Sequence, residues 1–335
     1  MKARVFVLFA ASALTVTSIQ AQGIDTNRCP ATTNSQRIAQ DACQKAIDLF
    51  QYVAPQLGTS ITGGNATLGQ GGNLGGLGHF SAGLRVNGVW GSLPQIQDIT
   101  LATGGATNSP AIDTKTQIIP MPTADLSIGI FKGLPLALTN VGGVDLLVSA
   151  AYLPEFDGSG VSVKVPEGSL KLGYGARVGI LQESLLVPGI SVSYLVRDLP
   201  TVNITAHSGN DSLYVKNLSL KTKAWRVVAS KSLLLFGLAA GVGQDKYDAS
   251  ADVSAHVAAR TLPPTPAADV APVSLSQNLT RTNVFADVSM NLLLFKITGE
   301  IGQVSGGTIN TYNQFSGKQA ADSRIYGSIG ARFGF

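Results

Sequence analysis

The chain has 335 residues, of which only 13% are charged, and its formal net charge is +4. Soluble domains carry about 25% charged residues, whereas this chain has 38 glycines and a mean hydropathy of +0.22. Beyond the N-terminus no apolar run is long enough for a membrane helix, and the weak positive charge argues against a nucleic-acid partner. A hydrophobic, glycine-rich chain of this kind is typical of a membrane β-barrel, with the lipid bilayer as its surroundings.

The first 21 residues have the pattern of a signal peptide. Lys2 and Arg4 precede an apolar run over residues 5–16, and Ala21 is a small residue at the expected cleavage point. Removing the two basic residues lowers the formal charge from +4 to +2. Export of a barrel chain predicts a location in the cell outer membrane.

Both cysteines, Cys29 and Cys43, follow the signal peptide. In an oxidising compartment we expect a disulfide between them, the alternative being two buried free thiols. Two cysteines without a nearby histidine do not predict a metal site. No cofactor is expected.

Residues 22–77 form a separate N-terminal segment in the prediction. A 3.6-residue apolar period predicts a helix over residues 35–57, capped by Asn34 or Ser35, with Pro55 near its end. Residues 63–78 are rich in glycine and asparagine but lack Gly-Lys-Ser/Thr, so they predict a flexible connector rather than a phosphate loop. We hypothesise that the helix plugs the barrel, stiffened by the disulfide.

From residue 78 to residue 335 the apolar period is two, with several alternating runs of 11 residues or more. Membrane strands need about that length, whereas soluble strands average about five to six residues. We therefore predict an all-β fold: a closed antiparallel transmembrane β-barrel with an even number of about 10–12 strands.

Short and long connections alternate along this region. Short links fall near residues 182–187, 230–232 and 291–292, and long ones near 91–116, 157–167, 262–277 and 305–322. This is the pattern of periplasmic turns and external loops, and it predicts about ten strands. Two β-prone pieces in the first long link, residues 96–101 and 115–119, would raise the number to twelve.

The alternation also predicts which side chains line the lumen. Basic residues outnumber acidic ones among them, which would favour anions in an open path. The equally weighted alternative is a set of ion pairs that brace a small barrel. The predicted lining consists of Arg85, Asp125, Lys171, Arg177, Arg197, Lys221, Lys223, Lys296, Glu300, Arg324 and Arg332.

The chain ends on alternating apolar residues and a phenylalanine. Ser328, Gly330, Phe333 and Phe335 match the polar, glycine and aromatic positions of a known C-terminal signature. In this the chain resembles bacterial outer-membrane β-barrel proteins. The resemblance implies that the last strand is read by the barrel-assembly machinery.

A helical segment ahead of a barrel is also similar to the long-chain fatty-acid transport family, whose N-terminal segment forms a hatch. The chain departs from that family in having fewer predicted strands and in carrying Cys29-Pro30-Ala31 where the family has Asn-Pro-Ala. The similarity implies a narrow or plugged channel for small or hydrophobic solutes. The alternative is a non-conducting structural, adhesive or enzymatic barrel that acts through its external loops.

Two polar clusters are candidates for catalysis. His207 is followed by Ser208 and Asp211, and His256 alternates with Ser254 and Asp252 on one face of a strand. A nucleophile needs its base within hydrogen-bond reach, and nothing in the sequence marks either serine as activated. We assign no catalytic residue and expect polar rim residues.

Overall fold

The computed structural model describes residues 23–31, 33–158, 160–261 and 264–334. The signal-peptide prediction and Phe335 lie outside these residues. Among the described residues, no helix is both long enough and apolar enough to cross a membrane.

The described residues form one long helix and seventeen strands, with two short 3₁₀ helices, Ile96–Asp98 and Ala106–Asn108, after the first strand. The elements are α1 Asn34–Thr62, β1 Phe80–Pro94, β2 Thr114–Phe131, β3 Leu134–Leu136, β4 Thr139–Val141, β5 Gly143–Tyr152, β6 Phe156–Gly158, β7 Val161–Lys164, β8 Leu170–Leu181, β9 Gly189–Asp198, β10 Val202–Ser208, β11 Asp211–Leu233, β12 Phe236–Val257, β13 Arg260–Thr261, β14 Pro264–Thr265, β15 Ala268–Leu292, β16 Phe295–Ser305 and β17 Arg324–Gly334.

Ten of these strands close into a ring. The order is β1-β2-β5-β8-β9-β11-β12-β15-β16-β17, and β17 pairs with β1 from Ser81↔Gly334 to Val89↔Tyr326. Every pair in the ring is antiparallel. The predicted barrel and its even strand number are confirmed. The two β-prone pieces add no strand, because residues 115–119 belong to β2 and residues 96–98 form a 3₁₀ turn.

The ring has an apolar outer face. Leu84, Leu172 and Ile329 are each more than 60% exposed, while the residues that alternate with them, such as Arg85 and Ser328, are buried. A closed ring leaves no unpaired strand edge, and an apolar exterior suits lipid.

Three strands of the ring are much longer than a membrane crossing requires. β11, β12 and β15 have 23, 22 and 25 residues, whereas about 9–11 suffice to span the bilayer. Above the ring, β10 replaces β9 as the neighbour of β11, and β7 and β6 extend this outer sheet. The prediction of a loop over residues 262–277 is therefore wrong for most of its length, since β15 begins at Ala268. The turns predicted at 230–232 and 291–292 lie two to four residues further on, at 234–235 and 293–294.

Helix α1 lies inside the ring. It contacts β1, β2, β9, β11, β12, β15 and β17, and residues 41–50 are all buried. The chain then continues through the lumen as the connector, residues 63–78, and leaves it where β1 begins.

The helix runs five residues beyond the predicted end, past Pro55, and begins with Thr33 rather than Asn34 or Ser35 as its N-cap. A proline inside a helix lacks the N–H that would bond the carbonyl four residues earlier. Here that carbonyl belongs to Gln51, and it accepts a hydrogen bond from Gln277 Nε2 of β15 at 3.2 Å. The barrel wall thus replaces the bond that Pro55 removes.

Candidate functional site in the barrel lumen

Three arginines from three strands meet at the C-terminal end of α1. We call Arg85 of β1, Arg197 of β9 and Arg226 of β11 the arginine cluster; each is almost completely buried. Their guanidinium groups donate to the last carbonyls of the helix: Arg197 Nη1 to Ile61 O at 2.8 Å, Arg85 Nη1 to Gly63 O at 3.0 Å and Arg226 Nη2 to Thr62 O at 3.2 Å.

The cluster satisfies a general need of helix ends. The last four carbonyls of a helix have no partner within it, and the helix dipole places about half a negative charge there. Three buried cations supply both donors and positive charge. Asn87 Nδ2 adds a further hydrogen bond to Ser60 O at 2.7 Å. The end of the helix is therefore held by the wall of the barrel.

Wall carboxylates balance part of this charge. Arg85 pairs with Asp125, and Arg226 pairs with Asp245 at 2.5 Å. Asp245 is completely buried and also accepts from Thr62 Oγ1 at 3.1 Å, so it joins the wall to the helix directly. It further accepts from Asn283 Nδ2 at 3.2 Å.

The connector is hydrogen-bonded along the lumen below the helix. Three of its backbone N–H groups donate to carboxylates of the wall. The N–H of Asn65 donates to Glu300 at 3.1 Å, that of Gly69 to Asp287 at 2.9 Å and that of Leu74 to Asp145 at 3.1 Å. Wall cations reach the same segment, with Lys296 Nζ donating to Gly69 O at 2.7 Å and Arg332 Nη1 to Gln70 Oε1 at 2.8 Å. These contacts correct the prediction of a flexible connector, because residues 63–73 are almost all buried and bonded to the wall.

The outer end of α1 is attached to the external loops. Asp48 accepts from the backbone N–H groups of Tyr312 at 3.1 Å and Asn313 at 2.7 Å. Burial raises the pKa of the Asp48 carboxyl to about 6. Cys29 and Cys43 are joined by a disulfide that ties the segment before the helix to its third turn.

Most of the predicted lumen residues lie inside the ring. Arg85, Asp125, Arg177, Arg197, Lys296, Glu300, Arg324 and Arg332 all have hydrogen bonds or ion pairs there. Arg177 and Asp145 form a pair at 2.7 Å with both side chains completely buried. Lys171 is on the same strand face as Arg177 but is only half-buried.

Lys221 and Lys223 contradict the prediction, because both are exposed on the outside of β11. Their inward neighbours are Leu220 and Thr222, which are buried. At this height the lumen is filled by a helix with an apolar face, so the inner face of the strand is itself largely apolar. The rule that polar side chains point inward therefore fails there.

Several central residues were missed by the sequence analysis, notably Asp245, Arg226, Asn283 and Asp287. Asp245 follows Gly241 and Gly243 at a spacing of two, and glycines on an inward face leave room for a plug. This spacing of two from the glycines is the sequence signal that could have identified Asp245 as an inward-facing residue.

The last strand places the predicted assembly residues on both faces of the wall. Ser328 is buried and Gly330 lies against Arg85, where an added Cβ would come within 2.8 Å of the arginine Cβ. Phe333 packs against Phe80 and Phe295, with ring centroids 6.2 and 5.4 Å apart.

The two candidate catalytic clusters do not form as predicted. Ser208 Oγ donates to the carbonyls of Gln97 and Ile99, and Asp211 pairs with Arg260. Asp252 accepts from Ser274 and Asn217 rather than from His256. Within the described part of the chain, no group of three or more His, Cys, Asp or Glu side chains could hold a metal ion.

No family model and no curated protein sequence matches this chain. Solved structures that it resembles include the translocator domain of the autotransporter NalP from Neisseria meningitidis, with 10% identity over 76% of this chain and 87% of that one at a TM-score of 0.34. Another is the outer membrane protease OmpT from Escherichia coli, with 9% identity over 77% of this chain and 97% of that one at a TM-score of 0.33. A third is the toluene transporter TodX from Pseudomonas putida, with 9% identity over 77% of this chain and 90% of that one at a TM-score of 0.28. TM-scores this low add no argument about activity.

The geometry itself defines the class. A closed antiparallel ring with an apolar exterior, short turns at one end and long connections at the other is a β-barrel of the outer-membrane type. Most residues of α1 and of the first part of the connector, residues 63–73, are buried inside the ring.

Proposed function

We propose that the protein is a plugged outer-membrane channel, in which α1 and the connector close the lumen and must move for a solute to pass. The observation that carries the proposal is the set of contacts at the arginine cluster. They are hydrogen bonds and ion pairs between wall and plug, and each can be exchanged for contacts with water.

An apolar cavity at the outer end supports a small hydrophobic solute. It lies between α1 and the outer sheet and has a volume of about 60 Å³. Its lining includes Phe50, Ala54, Ile96, Ala206 and Leu213. An apolar cavity of about 150 Å³ holds benzene, so an aromatic solute requires the loop that carries Ile96 to move outward.

Channel conductance tests the plug. We would compare the chain from residue 22 onward with its Arg197→Ala variant in planar bilayers, since Arg197 is hydrogen-bonded to the carbonyls of Ile61 and Gly64. We expect a silent parent protein and intermittent openings in the variant. Lys221→Ala, on the outside of the wall, is the matched control and should stay silent.

Heat-shifted gel mobility would verify that each protein is folded and inserted. If all three insert and none conducts, the channel proposal fails. The external sheet built on β10, β11 and β12 then favours the second candidate, a non-conducting barrel that acts through its outer loops.

The solute class is tested by ¹⁹F NMR of a fluorinated benzene with the protein in lipid nanodiscs. Ala206→Trp fills the cavity and should abolish the protein-dependent line broadening. Ala240→Trp places the same side chain on the lipid face, where Ala240 is exposed, and should leave it unchanged. Equal broadening in both variants would remove the cavity from the proposal.

A further inference from the structure

Two of the three histidines in the chain lie in one row across the outer sheet. His207 of β10 is paired in register with Ser212 of β11, Ser212 with His256 of β12, and His256 with Asp269 of β15. Directly opposite residues of antiparallel strands project from the same face. The order His207, Ser212, His256, Asp269 therefore crosses four neighbouring strands on one side of the sheet.

The side chains in this row are hydrogen-bonded in pairs. Ser212 Oγ lies 2.8 Å from His207 Nδ1, and His256 Nδ1 lies 2.6 Å from Asp269 Oδ1. Ser212 is 8% exposed, while His207 is open to solvent. The serine is thus shielded by its neighbours without being sealed from a small substrate.

The row belongs to the water-facing side of the sheet. Ala206 and Leu213, which flank it in sequence, are buried against the other side. Ser212 is 13 residues along β11 from Trp225, the exposed aromatic residue at the top of the apolar belt. At about 3.3 Å per residue that is roughly 43 Å along the strand, well outside the bilayer.

A change of register lies beside the row. The pairing of β12 with β15 shifts between Val253 and Ala255, next to His256. Irregularities of this kind re-aim side chains and are frequent next to active sites.

We propose that this row is a hydrolytic site for water-soluble carboxylic esters, with Ser212 as nucleophile and His207 as its general base. With His207 as the Nε2–H tautomer, Ser212 donates to Nδ1, which is the geometry that proton transfer needs. His256 acts as the imidazolium ion, donating from Nδ1 to Asp269 and from Nε2 to the carbonyl oxygen as it becomes negative. An imidazole is needed for this role because the backbone N–H groups of an inner strand are engaged in the sheet.

The atoms balance without a redox partner. The Ser212 oxygen bonds to the acyl carbon, its proton moves to His207, and the bond to the alkoxide breaks as His207 returns the proton to the leaving group. Water then attacks the acyl-serine and gives a proton to His207, which passes it to Ser212 Oγ as the serine–acyl bond breaks and the carboxylic acid is released. The proposal is independent of the plug, because the row does not face the lumen.

The test uses the full chain from residue 22 in detergent, with a fluorophosphonate probe and p-nitrophenyl acetate. We expect labelling on the peptide that contains Ser212, and a loss of ester hydrolysis of about 100-fold or more in Ser212→Ala and His207→Ala. Ser254→Ala, on the same face of β12, is the control and should react as the parent does. Heat-shifted gel mobility verifies folding of each variant.

The role of His256 and Asp269 in the reaction is tested with a pair of substitutions that distinguishes a loss of chemistry from a loss of folding. Asp269→Asn should lower the hydrolysis rate about tenfold, and Asp269→Glu should restore it. The proposal is overturned if the parent is not labelled, if the adduct lies elsewhere, or if Ser212→Ala or His207→Ala reacts as fast as Ser254→Ala.

Discussion

Replacing Asp245 with asparagine should loosen the plug while leaving the barrel closed. Asp245 is completely buried and accepts from Arg226 of the wall and from Thr62 Oγ1 of the helix. The amide keeps the shape but loses the charge, so Arg226 is left as a buried cation without its carboxylate. Breaking one side of a buried ion pair costs about 3–5 kcal/mol.

This cost should fall mainly on the docked helix. Each 1.4 kcal/mol changes an opening equilibrium about tenfold, so we expect the amides at the end of α1 to exchange roughly 100- to 4,000-fold faster. Hydrogen–deuterium exchange with mass spectrometry, on protein in lipid nanodiscs, measures this peptide by peptide. Peptides from β1 and β17 should retain their protection, because their backbone bonds do not depend on Asp245.

Asp248→Asn is the matched control. Asp248 is on the same strand, and its ion pair with Lys246 at 3.7 Å is partly exposed. Exposed pairs contribute about 0–1 kcal/mol, so exchange of α1 should change less than about fivefold. Equal effects of the two substitutions, or no effect of Asp245→Asn on α1, would show that the buried pair does not hold the plug.

Two further predictions concern the outer and inner ends of the plug. Burial raises the pKa of Asp48 from 3.8 to about 6, so its docked state favours the protonated carboxyl. Docking should be most stable below about pH 4 and lose about 3 kcal/mol (2.2 × 1.36) as pH rises through 6, measured by amide exchange corrected for intrinsic pH dependence. Asp48→Asn should abolish this dependence, and a parent that becomes better protected between pH 4 and 7 would contradict it. In Gly71→Ala, the new Cβ would come within 2.5 Å of Ser230 N and 2.6 Å of Gly189 O. We expect this clash to displace the connector at a cost of about 1–3 kcal/mol. The displaced connector should produce channel openings in planar bilayers. Gly299→Ala, which meets nothing within 4 Å, should stay closed, and openings in both or neither would refute the steric reasoning.

The lumen illustrates how a filled barrel satisfies its polar groups. Wall cations meet the carbonyl end of α1, and wall carboxylates accept from N–H groups of the connector. Buried backbone groups without partners are costly, and a glycine-rich segment without secondary structure has many of them. The excess of basic side chains in the lumen is therefore used to hold the plug, a role nearer to the bracing alternative than to an anion path.

Errors in the sequence analysis cluster above the membrane. The alternation of polar and apolar residues assumes lipid outside and water inside. At Lys221 and Lys223 the inside is an apolar helix and the outside is water, so the pattern reverses. The same reversal made the polar outer face of β15 resemble a loop.

By itself, the sequence determined the closed antiparallel barrel, the even strand number and the helix ahead of it. The strands and the helix follow from local periodicity, since a period of two or 3.6 is set by the geometry of each element alone. The even strand number follows from the alternation of short and long connections. Only the tertiary structure decided that the helix and connector fill the lumen, that Asp245 links Thr62 to Arg226, and that His207, Ser212 and His256 share one row. Those placements depend on the register between strands that are distant in sequence, and strand periodicity carries no information about which residues stand opposite each other.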